Sequence, residues 1–449
     1  MAGAYTLEAS AVAWPIPDAP PVTRTALPAN VLIVPGIDQW GARERGRDRQ
    51  LRSDASRAGP TVAGRVVHGD ALPEHAGARQ IGTPDAAAER AIHGSGHPTH
   101  DERRMATFPA DHTVRWGIIG CGDVTEVKSG PGLQKADHSA LVAVMRRNGA
   151  LAADYARRHG VRRWYDDADA LIADPEVDAV YVATPPDSHM DHALRAARAG
   201  KPVYVEKPMA RTAAECATMI DACRAAGVPL FVAYYRRALP RFARIRELID
   251  GGAIGDVRLV TVTLHQPLTS EELDTATLPW RVDPRIAGGG RFVDLASHML
   301  DFLDHALGPI RDVQGFAANQ GGRYAAEDVV AGSFVFESGV HAVGAWSFTA
   351  GIRQDRTEII GTAGRISYAT FGTDPIVVTT QAGTSEIAID HPAHIQQPLI
   401  QTVVDALRGT GSCPSTGESA ARTSWVMDRM LAGFRATGAH DTVSRPGPA

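Results

Sequence analysis

From Thr113 onward the chain alternates short, unbroken apolar runs with helix-patterned segments, and no other feature restricts its fold as strongly. The runs are VRWGIIG, LVAVMR, DAVYVAT, PVYVE and PLFVAYY. Apolarity without polar alternation marks strands covered on both faces. Between the runs lie helical patterns. One begins near Ser188 and ends at Gly200, and another opens with the capping-box spacing of Thr212 and Glu215 and stops at Gly227. Strand and helix in alternation build parallel, right-handed βαβ units. A doubly wound α/β sheet of the Rossmann type is therefore expected over residues 112–233.

The texture changes after that. An amphipathic helix is expected near 239–250, closed by Gly251-Gly252, then a long strand over 256–266 and a helix over about 291–306. Strand-like segments follow near 311–318, 328–336, 340–349, 356–361, 365–371, 375–381 and 385–390. They are mostly consecutive and turn-linked, which argues a mainly antiparallel sheet. Helices near 395–408 and 418–435 complete an α+β second domain over 234–437. The first 104 residues contain no lysine, are rich in Ala, Arg, Gly and Pro, and sustain neither helical nor strand periodicity. They read as a largely disordered extension. Met105 stands just before the patterned region, so an over-called start site and a genuine tail both fit.

Composition narrows the function. Hydrophobic residues make up 44% and charged residues 22%, and 46 Lys+Arg against 51 Asp+Glu give a net charge of -5, so no nucleic-acid partner is expected. No apolar run is long enough to span a bilayer, and no membrane partner is expected. Cys121, Cys216, Cys223 and Cys413 form no CxxC and no metal-ligand spacing. The chain reads as cytoplasmic and reduced, with no metal. Its basic residues are lopsided: four lysines (Lys128, Lys135, Lys201, Lys207) stand against 42 arginines, so each lysine is worth inspecting.

Gly120-x-Gly122 follows the first strand and leads through Asp123 and Val124 into a helix, the context in which glycines let a backbone approach a dinucleotide pyrophosphate. Thr125 takes the third position of that loop, where a small residue is usual, and is expected to loosen helix–strand packing. The second strand ends on Arg146 and Arg147, where an enzyme specific for NAD places an acid on the ribose 2′-hydroxyl. A guanidinium there instead pairs with a 2′-phosphate, so NADP is the preferred cofactor and NAD the other choice. Thr184 and Pro185, with His189 opening the next helix, form a loop at the carboxyl edge of the sheet and are expected at the cofactor. Glu206-Lys207-Pro208 ends the following strand at the same edge, with Glu206 expected at the cofactor. An ammonium there can hold or protonate an oxygen at the carbon that exchanges hydride. Gly288-Gly289-Gly290 leads into a helix carrying Asp294 and His298, four residues apart and so on one helical face. That spacing predicts a carboxylate fixing the tautomer of an imidazole, with Asp301 on the same face.

In their order and spacing, Gly120-x-Gly122, the 183–185 segment, Glu206-Lys207-Pro208 and the triple glycine with Asp294-xxx-His298 resemble the glucose-fructose oxidoreductase / inositol dehydrogenase / rhizopine-catabolism (Gfo/Idh/MocA) family over about 113–437. The resemblance implies an N-terminal Rossmann domain and a C-terminal α+β domain with a large open sheet that often serves dimerisation. It also implies NAD(P)-dependent oxidation or reduction of a sugar, inositol or related polyol by a homodimer or homotetramer. Lys207 corresponds to the catalytic lysine, His298 to the acid/base histidine and Asp294 to its partner. Many members have Asn or His before an arginine where this chain reads Tyr234-Tyr235-Arg236-Arg237, so Tyr235 and Arg237 are expected at the substrate in a changed form. Trp280 and Arg281 before the triple glycine, and Lys128 from the first helix, are further candidates for the sugar site.

Two other functions fit the same residues. A glycosidase or epimerase would oxidise its substrate transiently and reduce it back, with no net change in nicotinamide absorbance. A non-enzymatic dinucleotide sensor would need none of Lys207, Asp294 and His298 together.

Overall fold

The computed structural model describes residues 107–438. The expectations for residues 1–104 and for Met105 fall outside the described residues. All the described residues belong to one compact unit.

The apolar runs form a six-stranded parallel sheet of β1 (Val114–Ile119), β2 (Ser139–Met145), β3 (Arg163–Tyr165), β4 (Ala179–Val182), β5 (Val203–Val205) and β6 (Leu230–Val232). Their order is β3-β2-β1-β4-β5-β6, and every pair is parallel. Both neighbours of β1 run outward from it, so the order switches direction between β1 and β4, where such sheets open a ligand crevice at their carboxyl ends. Ile118, Val144, Val180, Tyr181 and Val205 are fully buried, as strands covered on both faces require. The strand β3 was not expected from the sequence: its Arg-Trp-Tyr is only partly covered. The helix after β5 runs Ala213–Ala226, with Thr212 Oγ1 accepting from Glu215 N at 3.2 Å and Gly227 closing it at φ +68°.

The second sheet has eight strands: β7 (Val257–His265), β8 (Ile310–Ala318), β9 (Val329–Phe336), β10 (His341–Ser347), β11 (Gln354–Gly361), β12 (Gly364–Tyr368), β13 (Ile376–Thr380) and β14 (Gly383–Ile387). Their order is β14-β13-β12-β11-β7-β10-β9-β8, antiparallel except for the parallel pair of β7 and β10. Along β7 every second residue from Val260 to Leu264 is buried, so one face carries the core.

Two connections tie the sheets around the site. The closing segments return to the parallel sheet: Ser415 Oγ donates to Val232 O at 2.7 Å, and Gln396 Nε2 donates to Glu206 Oε1 at 2.7 Å. The helix expected over 291–306 is a π-turn, Phe292–Ala296, running into an α-helix, Ser297–Leu307. Among the described residues no helix is long and apolar enough to cross a membrane.

Candidate active site

The loop after β1 has the form a dinucleotide requires. Gly120 sits at φ +92°, and a Cβ there would come within 2.9 Å of Thr184 N, so only glycine lets the β1 and β4 loops touch. At Gly122 a Cβ would meet nothing nearer than Gly120 O at 4.0 Å, which leaves the loop open to approach. Asp123 is exposed and begins a short helix, Asp123–Val127, that breaks at Lys128 and resumes as Ser129–Lys135. Thr125 corrects the expectation of loose packing. It is fully buried, and its Oγ1 accepts from Gly122 N at 2.9 Å and donates to Gly122 O at 2.7 Å. The hydroxyl therefore tightens the loop from within. Arg146 and Arg147 stand exposed immediately beyond β2, at the edge where the adenosine ribose lies in this fold. These residues fit a dinucleotide: Gly120, Gly122, Asp123 and Val124 at the phosphates, Arg146 and Arg147 at the ribose, and Thr184 and Pro185 on the facing loop.

Two residues expected at the cofactor lie behind that surface. His189 is fully buried with both ring nitrogens against backbone carbonyls, Nε2 at 2.7 Å from Thr184 O and Nδ1 at 3.1 Å from Pro208 O. It clamps the β4 loop to the Lys207-Pro208 turn and has no nitrogen left for a ligand. The carboxylate of Glu206 is likewise engaged: it accepts from Tyr181 Oη at 2.6 Å, Gln396 Nε2 at 2.7 Å and Lys207 N at 3.1 Å. Both act through the loops that they hold.

Lys207 projects from the end of β5 to the π-turn. Its Nζ donates to Asp294 Oδ1 at 2.6 Å and to Asp294 O at 3.0 Å. An ammonium has three N–H donors, so one remains for a substrate oxygen. Burial pushes the Asp294 carboxyl up, but Lys207, with Arg281 and Arg291, outweighs it and holds the group below its usual value. Arg281 Nε lies 3.7 Å from Asp294 Oδ2, and its guanidinium covers the Trp280 ring at 4.6 Å. The expected pairing of Asp294 with His298 does not form. Three cations compete for the carboxylate against a neutral ring, and the π-turn between the two residues departs from the 3.6-residue period on which the spacing argument rests.

His298 is 3% exposed, and its Nδ1 has no partner. Aromatic rings surround it edge-on: Tyr235 at 5.2 Å, Tyr234 at 6.0 Å and Phe371 at 6.1 Å between centroids. Burial holds its pKa well below the usual imidazole range, and the cations of Arg236, Lys207 and Lys128 push in the same direction. The ring is neutral, and Lys207 and the exposed Lys128 both lie within its electrostatic reach.

Arg237, expected at the substrate, turns into the interior instead. It is buried in a two-pronged ion pair with Asp301, Nε to Oδ2 at 2.9 Å and Nη2 to Oδ1 at 2.7 Å, and Nη1 donates to Pro414 O at 2.8 Å. That pair also takes Asp301 away from the face of Asp294. The neighbouring arginine lies at the site instead: Arg236 stacks on Tyr235 and Phe371, two of the rings around His298. The Tyr-Tyr-Arg-Arg run signalled basic residues here, but only the short 3-10 turn Tyr235–Ala238 decides which faces the ring cage. Phe371 comes from a loop after β12 and gave no signal in the sequence.

Residues 114–234 match the family described as "Oxidoreductase family, NAD-binding Rossmann fold", and residues 242–367 match "GFO/IDH/MocA C-terminal domain". The chain is 38% identical over 315 residues to "Oxidoreductase P35" of Formosa agariphila, covering 70% of this chain and 97% of that one. It is 30% identical over 315 residues to the 1,5-anhydro-D-fructose reductase of Ensifer adhaerens, covering 68% and 91%. A solved levoglucosan dehydrogenase, in complex with NADH and levoglucosan, superposes with a TM-score of 0.64 at 25% identity, covering 73% of this chain and 98% of that one. With a Rossmann sheet, a second open sheet and relatives matched over nearly their whole length, the chain belongs to the Gfo/Idh/MocA family of oxidoreductases.

Proposed function

We propose that this protein transfers hydride between a nicotinamide dinucleotide and a carbinol carbon of a sugar, cyclitol or related polyol. The observation that carries the reading is the bond from Lys207 at the end of β5 to Asp294 on the π-turn, which joins the cofactor crevice to the helix of His298. When bound, the nicotinamide supplies the hydride acceptor or donor. Lys207 holds the reacting oxygen through its remaining N–H and stabilises negative charge developing there. Asp294 fixes the ammonium in place. His298, neutral, accepts the hydroxyl proton in oxidation and returns it in reduction. Arg281 and Trp280 line the mouth above Asp294, and Tyr235 closes the side of the ring cage. Arg146 favours NADP over NAD.

The test is a panel of aldoses, inositols, uronates and anhydrosugars with NAD and NADP, followed by nicotinamide absorbance. At least one substrate should give a net change, and Lys207→Arg should lower its turnover by roughly 10²- to 10⁴-fold, since a guanidinium lacks the compact ammonium's geometry. Turnover of a substrate without net absorbance change would favour transient oxidation. Undiminished turnover in Lys207→Arg would refute the assignment of the lysine.

A further inference from the structure

A buried guanidinium presents five N–H donors that need acceptors, and burying its charge without an anion is costly. The neighbouring arginines meet that need. Arg237 has Asp301, Arg291 has Glu272 at 2.5 Å, and Arg281 lies near Asp294. Arg236 does not. It is 5% exposed and forms no ion pair among the described residues; its Nε donates to Thr370 O at 3.2 Å, and its Nη1 has no partner. Aromatic rings hold the group instead, with Phe371 at 4.6 Å, Tyr235 at 5.1 Å and Phe242 at 5.7 Å from the guanidinium carbon.

Five residues further on, Arg241 repeats the pattern. It is 1% exposed, and none of its three guanidinium nitrogens has a partner. Two acids act on it from a distance without forming an ion pair: the exposed Asp374, the stronger, and Asp355, already engaged by the backbone N–H groups of Thr370 at 3.0 Å, Phe371 at 2.6 Å and Gly372 at 3.3 Å. Both arginines act electrostatically on the partly buried His391, whose Nδ1 also lacks a partner. Two buried cations without an ion pair among the described residues thus share one neighbourhood, and Tyr235 and Phe371 connect one of them, Arg236, to His298.

We propose that Arg236, backed by Arg241, receives an oxyanion carried by the substrate, so that the sugar or polyol bears a carboxylate or phosphate group beside the carbinol carbon that reacts. The inference rests on reading Lys207 and His298 as the reacting centre. A neutral hydroxyl would leave both guanidiniums without an ion pair, whereas an oxyanion supplies charge and acceptors together. Because Tyr235 and Phe371 each touch both Arg236 and His298, the anion and the reacting carbon belong to one small molecule.

Calorimetric titration of the full chain, loaded with NAD or NADP, compares D-glucose with D-glucuronate and with D-glucose 6-phosphate, and D-galactose with D-galacturonate. An acidic member should bind roughly ten- to hundredfold more tightly than its neutral counterpart, the range set by charge-assisted hydrogen bonds, and added salt should shrink the ratio. A uronate preference identifies a carboxylate, and a sugar phosphate preference a phosphate. Arg236→Gln should erase the ratio and Arg236→Lys should keep part of it. If Arg236→Gln does not fold, the wild-type ratio and its salt dependence decide. Neutral sugars binding as tightly as every acidic partner, no binding by any acidic member, or a ratio that survives Arg236→Gln would overturn the proposal. An acidic sugar that binds through Arg236 and is neither turned over nor changes nicotinamide absorbance would leave the anion site standing and count against the hydride-transfer reading.

Discussion

Lys207 Nζ reaches Asp294 Oδ1 at 2.6 Å across 87 residues of chain, so the lysine that ends a Rossmann strand is anchored by the turn that leads to His298. The helix spacing alone made Asp294 a partner of the imidazole. Its place beside the ammonium has a different consequence, because it fixes the direction of the one N–H left for substrate. Asp294→Asn removes the charge and keeps one acceptor, so turnover should fall roughly ten- to hundredfold, the size of a lost charge-assisted hydrogen bond. Steady-state kinetics on a proven substrate check this. Turnover equal to wild type would show that the ion pair does not position the lysine.

Arg237 and Arg236 are adjacent in sequence and opposite in role. Arg237→Met would leave the Asp301 carboxylate buried without its cation, and breaking such a pair costs about 3–5 kcal/mol. Burial already pushes the Asp301 carboxyl up to about 6 with the arginine in place. Denaturant unfolding should show that loss in the variant. A variant of normal stability but raised KM would instead make Arg237 a substrate contact.

The legible parts of this fold are those where local pattern and tertiary burial agree. The five apolar runs became strands because both faces of the parallel sheet are covered, and the second sheet was readable from turns and alternation. The strand β3 escaped notice because Arg163 sits within it, satisfied by Asp174 at 2.9 Å, and no pattern announces a charge that will be paired. At the site, Lys207 and His298 could be named from their positions at the strand end and after the triple glycine. Their partners could not: Asp294 turns to a cation that arrives from another strand, His189 and Glu206 turn to backbone and side chains behind the loops, and Phe371 enters from a distant loop. Residue type and spacing locate a side chain on its own element, but its hydrogen-bond partner depends on what another element brings.

Arg146 provides a test of cofactor choice, because it stands exposed just past β2 with no carboxylate paired to it among the described residues. Charge-assisted bonds to a phosphate contribute about 1.5–3 kcal/mol, so NADP should bind roughly ten- to hundredfold more tightly than NAD. Arg146→Asp should reverse the order, since a carboxylate repels the 2′-phosphate and accepts from a free 2′-hydroxyl. Fluorescence titration with both reduced dinucleotides measures it. Tighter binding of NAD by the wild type would assign this strand end to the NAD-specific pattern.

Glu327 should make stability fall as pH rises from about 5 to about 7. It is 1% exposed, and its Oε1 accepts from Gly290 N at 2.8 Å, holding the triple glycine that precedes the π-turn. Burial pushes its carboxyl from an ordinary 4.5 up to about 7. The folded protein therefore binds this proton more tightly than the unfolded chain does. The resulting stabilisation is complete below the unfolded value and is lost as pH rises through the folded one. The shift corresponds to an effect on the order of 3 kcal/mol. Glu327→Gln keeps an acceptor for Gly290 N and removes the titration. Urea unfolding of both proteins should therefore show the variant gaining stability relative to wild type steadily as pH rises from about 5 to about 7, with the difference levelling off above that. A difference between the two that stays constant over that range would mean that Glu327 keeps its charge in the folded state, and that the Gly290 bond is made to a carboxylate at every pH tested.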